Sequence, residues 1–145
     1  MPYATQQQFI DAFGRDEAIQ LTNLEDSTAE EIDVVPLNRA LTDASSMIDT
    51  YLGGKYTVPF TTVPAVLIPH CLNIARYYLD RNSAREDVRQ RYEDAIRWLE
   101  QLAKGILTLG LDTAQATIKP REGLPDFTAG EKVYTNSSLQ DFGSL

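Results

Sequence analysis

The sequence predicts a mainly α protein: a small helical bundle of about four helices, with a short β-like segment and an extended C-terminal arm. Three observations predict it. Apolar residues recur at three- and four-residue spacing through residues 36–52, 64–79 and 84–104. Prolines, paired glycines and capping residues punctuate the intervals between these runs. After Gly105 the helical period is lost. Residues 1–111 therefore read as the helical domain and residues 112–145 as the arm.

The first element is a helix over Gln6–Phe13, opened by a Thr5/Gln8 capping box and stopped at Gly14. A shorter helical piece over Asp16–Leu21 follows. The acidic connection TNLEDSTAEEIDVVP has Ser27 and Thr28 each three residues before a glutamate, a pattern that suits one further helical turn. The clearest helix spans Pro36–Leu52, with proline at its first position and Gly53-Gly54 at its end. Leu37, Ala40, Leu41, Ala44, Met47, Ile48, Tyr51 and Leu52 form its apolar face, leaving Asn38, Arg39, Asp43, Ser45, Ser46 and Asp49 to water.

A third long helix runs from about Pro64 to Leu79, and Pro69 obscures its start. It is apolar almost all round, through Val66, Leu67, Leu72, Ile74, Ala75, Tyr78 and Leu79, and reads as the most buried element. A capping box from Ser83 to Glu86 opens the last helix, Ala84–Lys104, whose stripe is Val88, Tyr92, Ala95, Leu99 and Leu102. Arg85–Arg89 and Glu93–Arg97 lie at i,i+4 on its surface. ILTLGLD then alternates, placing Leu107, Leu109 and Leu111 on one side of an extended strand. In the arm, Ile118, Leu124, Phe127, Val133, Tyr134, Leu139, Phe142 and Leu145 punctuate a polar stretch. The composition suits a mobile tail, or, with apolar residues so spaced, anchors that order on a partner surface. Fully extended, the arm reaches roughly 110 Å.

Composition excludes several classes. No window approaches 18 consecutive apolar residues, and MPYATQQQF lacks the basic and apolar regions of a signal peptide, so no membrane association is expected. The single cysteine, Cys71, rules out an internal disulfide framework and fits a reducing cytoplasm. The net charge of −8 is concentrated in residues 1–50, which hold ten acids and two bases. Such a surface opposes tight DNA binding, which needs cations to displace counterions, and suits either a solvated face or one past which DNA slides.

Catalytic constellations are missing. The lone histidine, His70, adjoins Cys71, but neighbouring helical positions point about 100° apart, a poor arrangement for a nucleophile and its base. Cys71 reads as a small buried residue and His70 as a capping or polar surface group. No zinc or calcium motif occurs, and Gly53-Gly54-Lys55 lacks the glycine spacing and hydroxyl residue of a phosphate loop. The paired acids Asp16-Glu17, Glu25-Asp26 and Glu30-Glu31 suit helix starts and solvated loops better than acid–base work. Tyr77 and Tyr78 read as core or interface aromatics; Trp98 departs from the stripe of Ala95, Leu99 and Leu102 and is an interface candidate. The expectation is a non-enzymatic protein without cofactor or metal.

The run ALTDASSMIDTYLGGKYTVPF followed by VPAVLIPHCLNIARYYL resembles the Mu-like phage head–tail connector proteins, a branch of the adaptor or head-completion proteins. The shared pattern is I-D-x-Y-L, K-Y, proline, P-x-x-L, then C-x-x-I-A-R-Y-x-L. Here it is carried by Ile48, Asp49, Tyr51, Leu52, Lys55, Tyr56, Pro59, Pro64, Leu67, Cys71, Ile74, Ala75, Arg76, Tyr77 and Leu79. The resemblance covers about residues 1–111. It implies a helical bundle that assembles, usually as twelve copies, into a ring beneath the portal protein. That ring extends the DNA channel and docks the next neck or tail-completion protein, passing DNA without reading its sequence. The implied location is the virion neck, after synthesis in the bacterial host cytoplasm. Lys55, Tyr56, Phe60, Trp98, Phe127, Tyr134 and Phe142 are then candidates for the subunit or portal interface, while Asp16, Glu17, Glu25, Asp26, Glu30 and Glu31 are candidates for channel-facing acids. For Tyr56 and Phe60 the alternative is closure of the chain's own core. Other readings are a stopper or tail terminator, which tend to be β-rich, and a helical protein-binding module.

Overall fold

A computed structural model describes residues 1–80 and 84–111. The arm, and with it Phe127, Tyr134 and Phe142, lies outside the described residues, as does Ser83. Five helices follow in order: α1 (Gln6–Phe13), α2 (Arg15–Thr22), α3 (Val34–Leu52), α4 (Leu67–Leu79) and α5 (Glu86–Lys104). Helices α3, α4 and α5 pack against one another, and the α1–α2 pair lies across α3 and α4. The mainly α class holds, with the short second helical piece standing as a full helix.

Local chemistry sets the ends. Thr5 Oγ1 accepts the Gln8 N–H at 3.2 Å while Gln8 Oε1 accepts the Thr5 N–H at 2.9 Å, completing the expected capping box. Gly14, at φ 91°, turns the chain from α1 into α2 through a region few side chains tolerate. Asp33 caps α3, accepting the Val35 N–H at 3.0 Å, so the helix begins two residues before Pro36. Helix α4 starts at Leu67 instead of Pro64, which leaves Pro69 in the first turn, where a missing N–H costs no helical bond. Val66, expected in the apolar helix, is exposed just before it. Gly105 closes α5 in the left-handed region, its N–H bonding Gln101 and Leu102 carbonyls.

Three local expectations are corrected. The acidic connection forms turns, not a helical turn: Asp26 Oδ1 takes both the Thr28 N–H (2.9 Å) and hydroxyl (2.6 Å), and Asn23 Nδ2 bridges the Ile19 and Glu31 carbonyls. These side-chain bonds satisfy the backbone that a helix would otherwise occupy. Helix α5 starts at Glu86, two residues after the expected Ala84, with Arg85 at the N-cap. Residues 106–111 pair with no strand among the described residues. Their alternation survives nonetheless, with Leu107, Leu109 and Leu111 turned toward the core. Gly53 ends α3 in ordinary right-handed geometry. Its place is fixed by closeness, since a Cβ there would stand 3.0 Å from the Asp49 carbonyl oxygen.

The core is continuous. Phe9, Leu37, Leu41, Ile48, Leu52, Leu67, Ile74, Leu99 and Leu102 are fully enclosed. Helices α3 and α4 each touch all four other helices, which agrees with the nearly all-round apolarity of α4. Ser45 and Asp49 depart from the expected solvent face. Tyr3 lies over that side of α3, donates its N–H to Ser45 Oγ (2.8 Å) and its hydroxyl to Asp49 Oδ1. Burial and then the Asp49 bond push the Tyr3 phenol far above its ordinary pKa.

Candidate assembly interface

The segment YLGGKYTVPF is built into the bundle. The Tyr56 N–H bonds the Leu52 carbonyl (2.8 Å), continuing α3 by a last turn, and the ring is buried. Its hydroxyl accepts the Leu109 N–H at 3.2 Å. The Phe60 ring stands 6.1 Å from Tyr56 and 5.9 Å from Tyr3, while its N–H donates to the Tyr3 hydroxyl (3.3 Å). A cis Val58–Pro59 bond lies between the two aromatics. Tyr56 therefore closes the chain's own core. Phe60 and Lys55 are half-buried, with Lys55 Nζ 5.8 Å from the Tyr56 ring centre.

A different aromatic surface follows the seam of α4 and α5. His70 stacks on Trp98 with centroids 4.0 Å apart and planes 15° from parallel. Two turns along α4, Tyr77 stacks on Tyr92 at 4.0 Å and 11°. Tyr78 stands 6.2 Å from Tyr92. All five side chains are half-buried, so each keeps an accessible edge. Burial, then Tyr92 and Asp43, push the Tyr78 phenol up to about 12, which keeps it a neutral donor. Large rings with few rotatable bonds, half wet and already stacked, are what a protein interface uses as anchors. Of the residues singled out from sequence, the interface candidate Trp98 belongs to this surface, as do Tyr77 and Tyr78, read as core or interface aromatics. His70 and Tyr92 join them because an antiparallel α4–α5 pairing sets them opposite one another.

Burial lowers the His70 pKa below its ordinary value of 6.5. The folded state then binds fewer protons than the unfolded state below pH 6.5, so His70 destabilises the fold as pH falls through that value. Wild type is expected to lose more stability than His70→Phe between pH 7.5 and 5.5; parallel denaturant titrations at the two pH values, giving equal losses, would contradict this.

The acids separate into two groups. Asp16, Glu25, Asp26, Glu30 and Glu31 are exposed and lie along α2 and the acidic connection. The two Thr28 bonds hold the Asp26 carboxyl below its usual range. Glu17, in contrast, is half-buried: Oε1 accepts from Arg76 Nε and from Arg85 Nη2, both at 2.6 Å. Arg76 also lies 3.7 Å from Asp87 and over the Phe13 ring at 4.6 Å, and Arg85 reaches Asp80 at 3.8 Å. Glu17 is thus committed to joining α2 to α4 and to the start of α5. This network escaped the sequence reading, although an arginine on an otherwise apolar helix signals a buried acid partner.

Among the described residues no group of three His, Cys, Asp or Glu side chains is placed to hold a metal ion. Cys71 is enclosed beside Ser45, whose Oγ is 3.6 Å away, and burial raises its thiol pKa. No helix of the described residues is long and apolar enough to cross a membrane.

Comparison with known proteins places this arrangement. The profile of the family described as Bacteriophage Mu, Gp36 matches residues 3–125, which runs past Leu111 into the arm. The chain is 46% identical over 110 residues to the Mu-like prophage FluMu protein gp36 of Haemophilus influenzae, covering 76% of this chain and 78% of that one. It is 30% identical over 135 residues to Gene product J of Escherichia phage Mu, covering 93% and 95% respectively. With a profile that spans most of its length and two phage Mu-type relatives matched along most of theirs, this chain belongs to the Bacteriophage Mu Gp36 family.

Proposed function

We propose that this protein is a structural component of the phage neck, an adaptor whose copies form a ring beneath the portal, extend the DNA channel and receive the next neck or tail protein. The observation that carries the reading is the half-exposed aromatic seam of α4–α5 on a bundle that belongs to a phage protein family. Buried polar side chains of the described residues are spent on internal bonds, with none left unpartnered for chemistry. In this reading the mechanism is assembly. Trp98, with the half-buried Phe60 and Lys55, lies at subunit or portal contacts, and Phe127, Tyr134 and Phe142 anchor the arm on a partner. Asp16, Glu25, Asp26, Glu30 and Glu31 face the channel, where like charge keeps DNA from binding tightly as it passes.

The test is electron microscopy of lysates from a phage lacking this gene, complemented with the wild-type gene or with Trp98→Ala. Without complementation, filled heads and finished tails are expected to remain separate, and the intact gene should join them. Trp98→Ala should accumulate as folded protein yet restore joined particles poorly. Normal infectious particles without the gene would remove the adaptor reading and favour a helical module for another partner.

A further inference from the structure

We propose that the groove formed by the end of α2, the acidic connection and the start of α3 is a docking site for this chain's own residues 118–121, Ile118-Lys119-Pro120-Arg121. The inference stands apart from the adaptor reading, except that a docked arm takes Glu25 and Asp26 out of the channel-facing acids. The groove encloses about 410 Å³ over Leu21, Pro36 and Leu79, with Glu25, Asp26 and Asp33 around it. Leu24, in its lining, is 42% exposed, and beside the lining Val34 and Val35, which follow Asp33, are 47% and 71% exposed. No Lys or Arg of the described residues pairs with these three carboxylates, whereas the acids of α5 that flank Arg89 and Arg97 are paired. An apolar floor ringed by three carboxylates that no cation of the described residues pairs with selects an occupant that alternates apolar groups with cations.

Residues 112–145 contain three bases, Lys119, Arg121 and Lys132, and only the first two stand close together, with Ile118 and Pro120 interleaved. Pro120 disfavours helix at Lys119 and lacks an N–H, so an extended strap leaves one backbone donor fewer to satisfy. The family match includes this segment and stops before Phe127. The reach also fits. The Leu109 N–H is held on the Tyr56 hydroxyl, just past the C-terminal end of α3, whereas Pro36 and Asp33 mark its N-terminal end. The 19 residues of α3 rise about 28 Å, and the ten steps from Leu109 to Lys119 extend to about 33 Å. The strap spans the bundle with little slack, and an intramolecular partner outcompetes a second copy at micromolar protein. Phe127, Tyr134 and Phe142 lie beyond it and remain available to other proteins.

The experiment uses the full chain carrying Leu24→Cys and Ile118→Cys; enclosed Cys71 stays inert to mild oxidation. At low micromolar protein an intramolecular disulfide is expected, read by mass and non-reducing electrophoresis. Adding Lys119→Glu and Arg121→Glu should slow its formation about fivefold or more, and further adding Glu25→Lys and Asp26→Lys should restore it. Circular dichroism confirms that each variant is folded. Predominant disulfide-linked dimers would make a second copy the occupant and overturn the proposal. So would a rate indifferent to charge reversal, or one matched by a control pair, Gln90→Cys with Ile118→Cys, on the exposed face of α5.

Discussion

Replacing Tyr56 by alanine is expected to lower the free energy of unfolding by about 3–5 kcal/mol, the range for truncating a buried aromatic. For a domain of this size that is a fall in Tm of about 10–20 °C. Tyr56 is 3% exposed and sits where three separate parts of the chain meet. Its ring neighbours Phe60, which touches Tyr3 and so the N-terminus, and its hydroxyl holds the Leu109 N–H beyond α5. Truncation opens a cavity, frees the base of the arm and leaves a half-buried N–H without its acceptor. Tyr56→Phe keeps the ring and loses the one bond, and should cost about 1 kcal/mol. Phe60→Ala should cost less than Tyr56→Ala, because Phe60 is only half-buried. Chemical denaturation of the three variants tests the ordering. A Tyr56→Ala protein with wild-type stability but defective assembly would return Tyr56 to the interface and break this account of the core.

How much of this was legible in the sequence follows from which forces are local. The long helices are written in apolar period, so α3, α4 and α5 stand within a few residues of their expected bounds. Thr5 and Gln8 cap α1 as expected because a capping box is complete within four residues. Ser45 and Asp49 resisted the same reading. Their polarity places them on a wet face by period alone, and only the tertiary return of Tyr3, more than forty residues away, encloses them. The acidic connection misled in the opposite way, since Asp26 and Asn23 bind backbone and side-chain groups locally and remove the motive for a helical turn. At the candidate interface Trp98 was visible because it breaks its own stripe. Tyr77 and Tyr78 were visible as core or interface aromatics, but the pairing of His70 with Trp98 and of Tyr77 with Tyr92 needed the register of α4 against α5, which no spacing within one helix encodes.

Glu17 carries the second large effect. Glu17→Ala is expected to cost about 3 kcal/mol, toward the lower bound for breaking a buried ion pair. The cause is what remains afterward. The Arg76 side chain is 7% exposed and cannot turn to water, so losing the 2.6 Å bond from Nε leaves a cation held only by Asp87 at 3.7 Å and the Phe13 ring. Arg85, half-exposed, re-solvates at little cost. The penalty therefore belongs to Arg76, and Glu17→Ala/Arg76→Met should be more stable than Glu17→Ala alone, because a flexible apolar side chain fills the same space without an orphaned charge. Salt supplies an independent check. Raising ionic strength from 0.05 to 0.5 M should screen the exposed Arg89–Glu93 pair yet leave the Glu17→Ala penalty nearly unchanged. Since Glu17 joins α2 to α4 and α5, the variant should also loosen the α1–α2 pair before the rest, giving faster amide exchange at Phe9 and Ala18 than at Leu99. A penalty below about 1 kcal/mol that vanishes in salt would make Glu17 an ordinary surface acid, the behaviour of an exposed pair, and would return it to the other acids along α2 and the acidic connection.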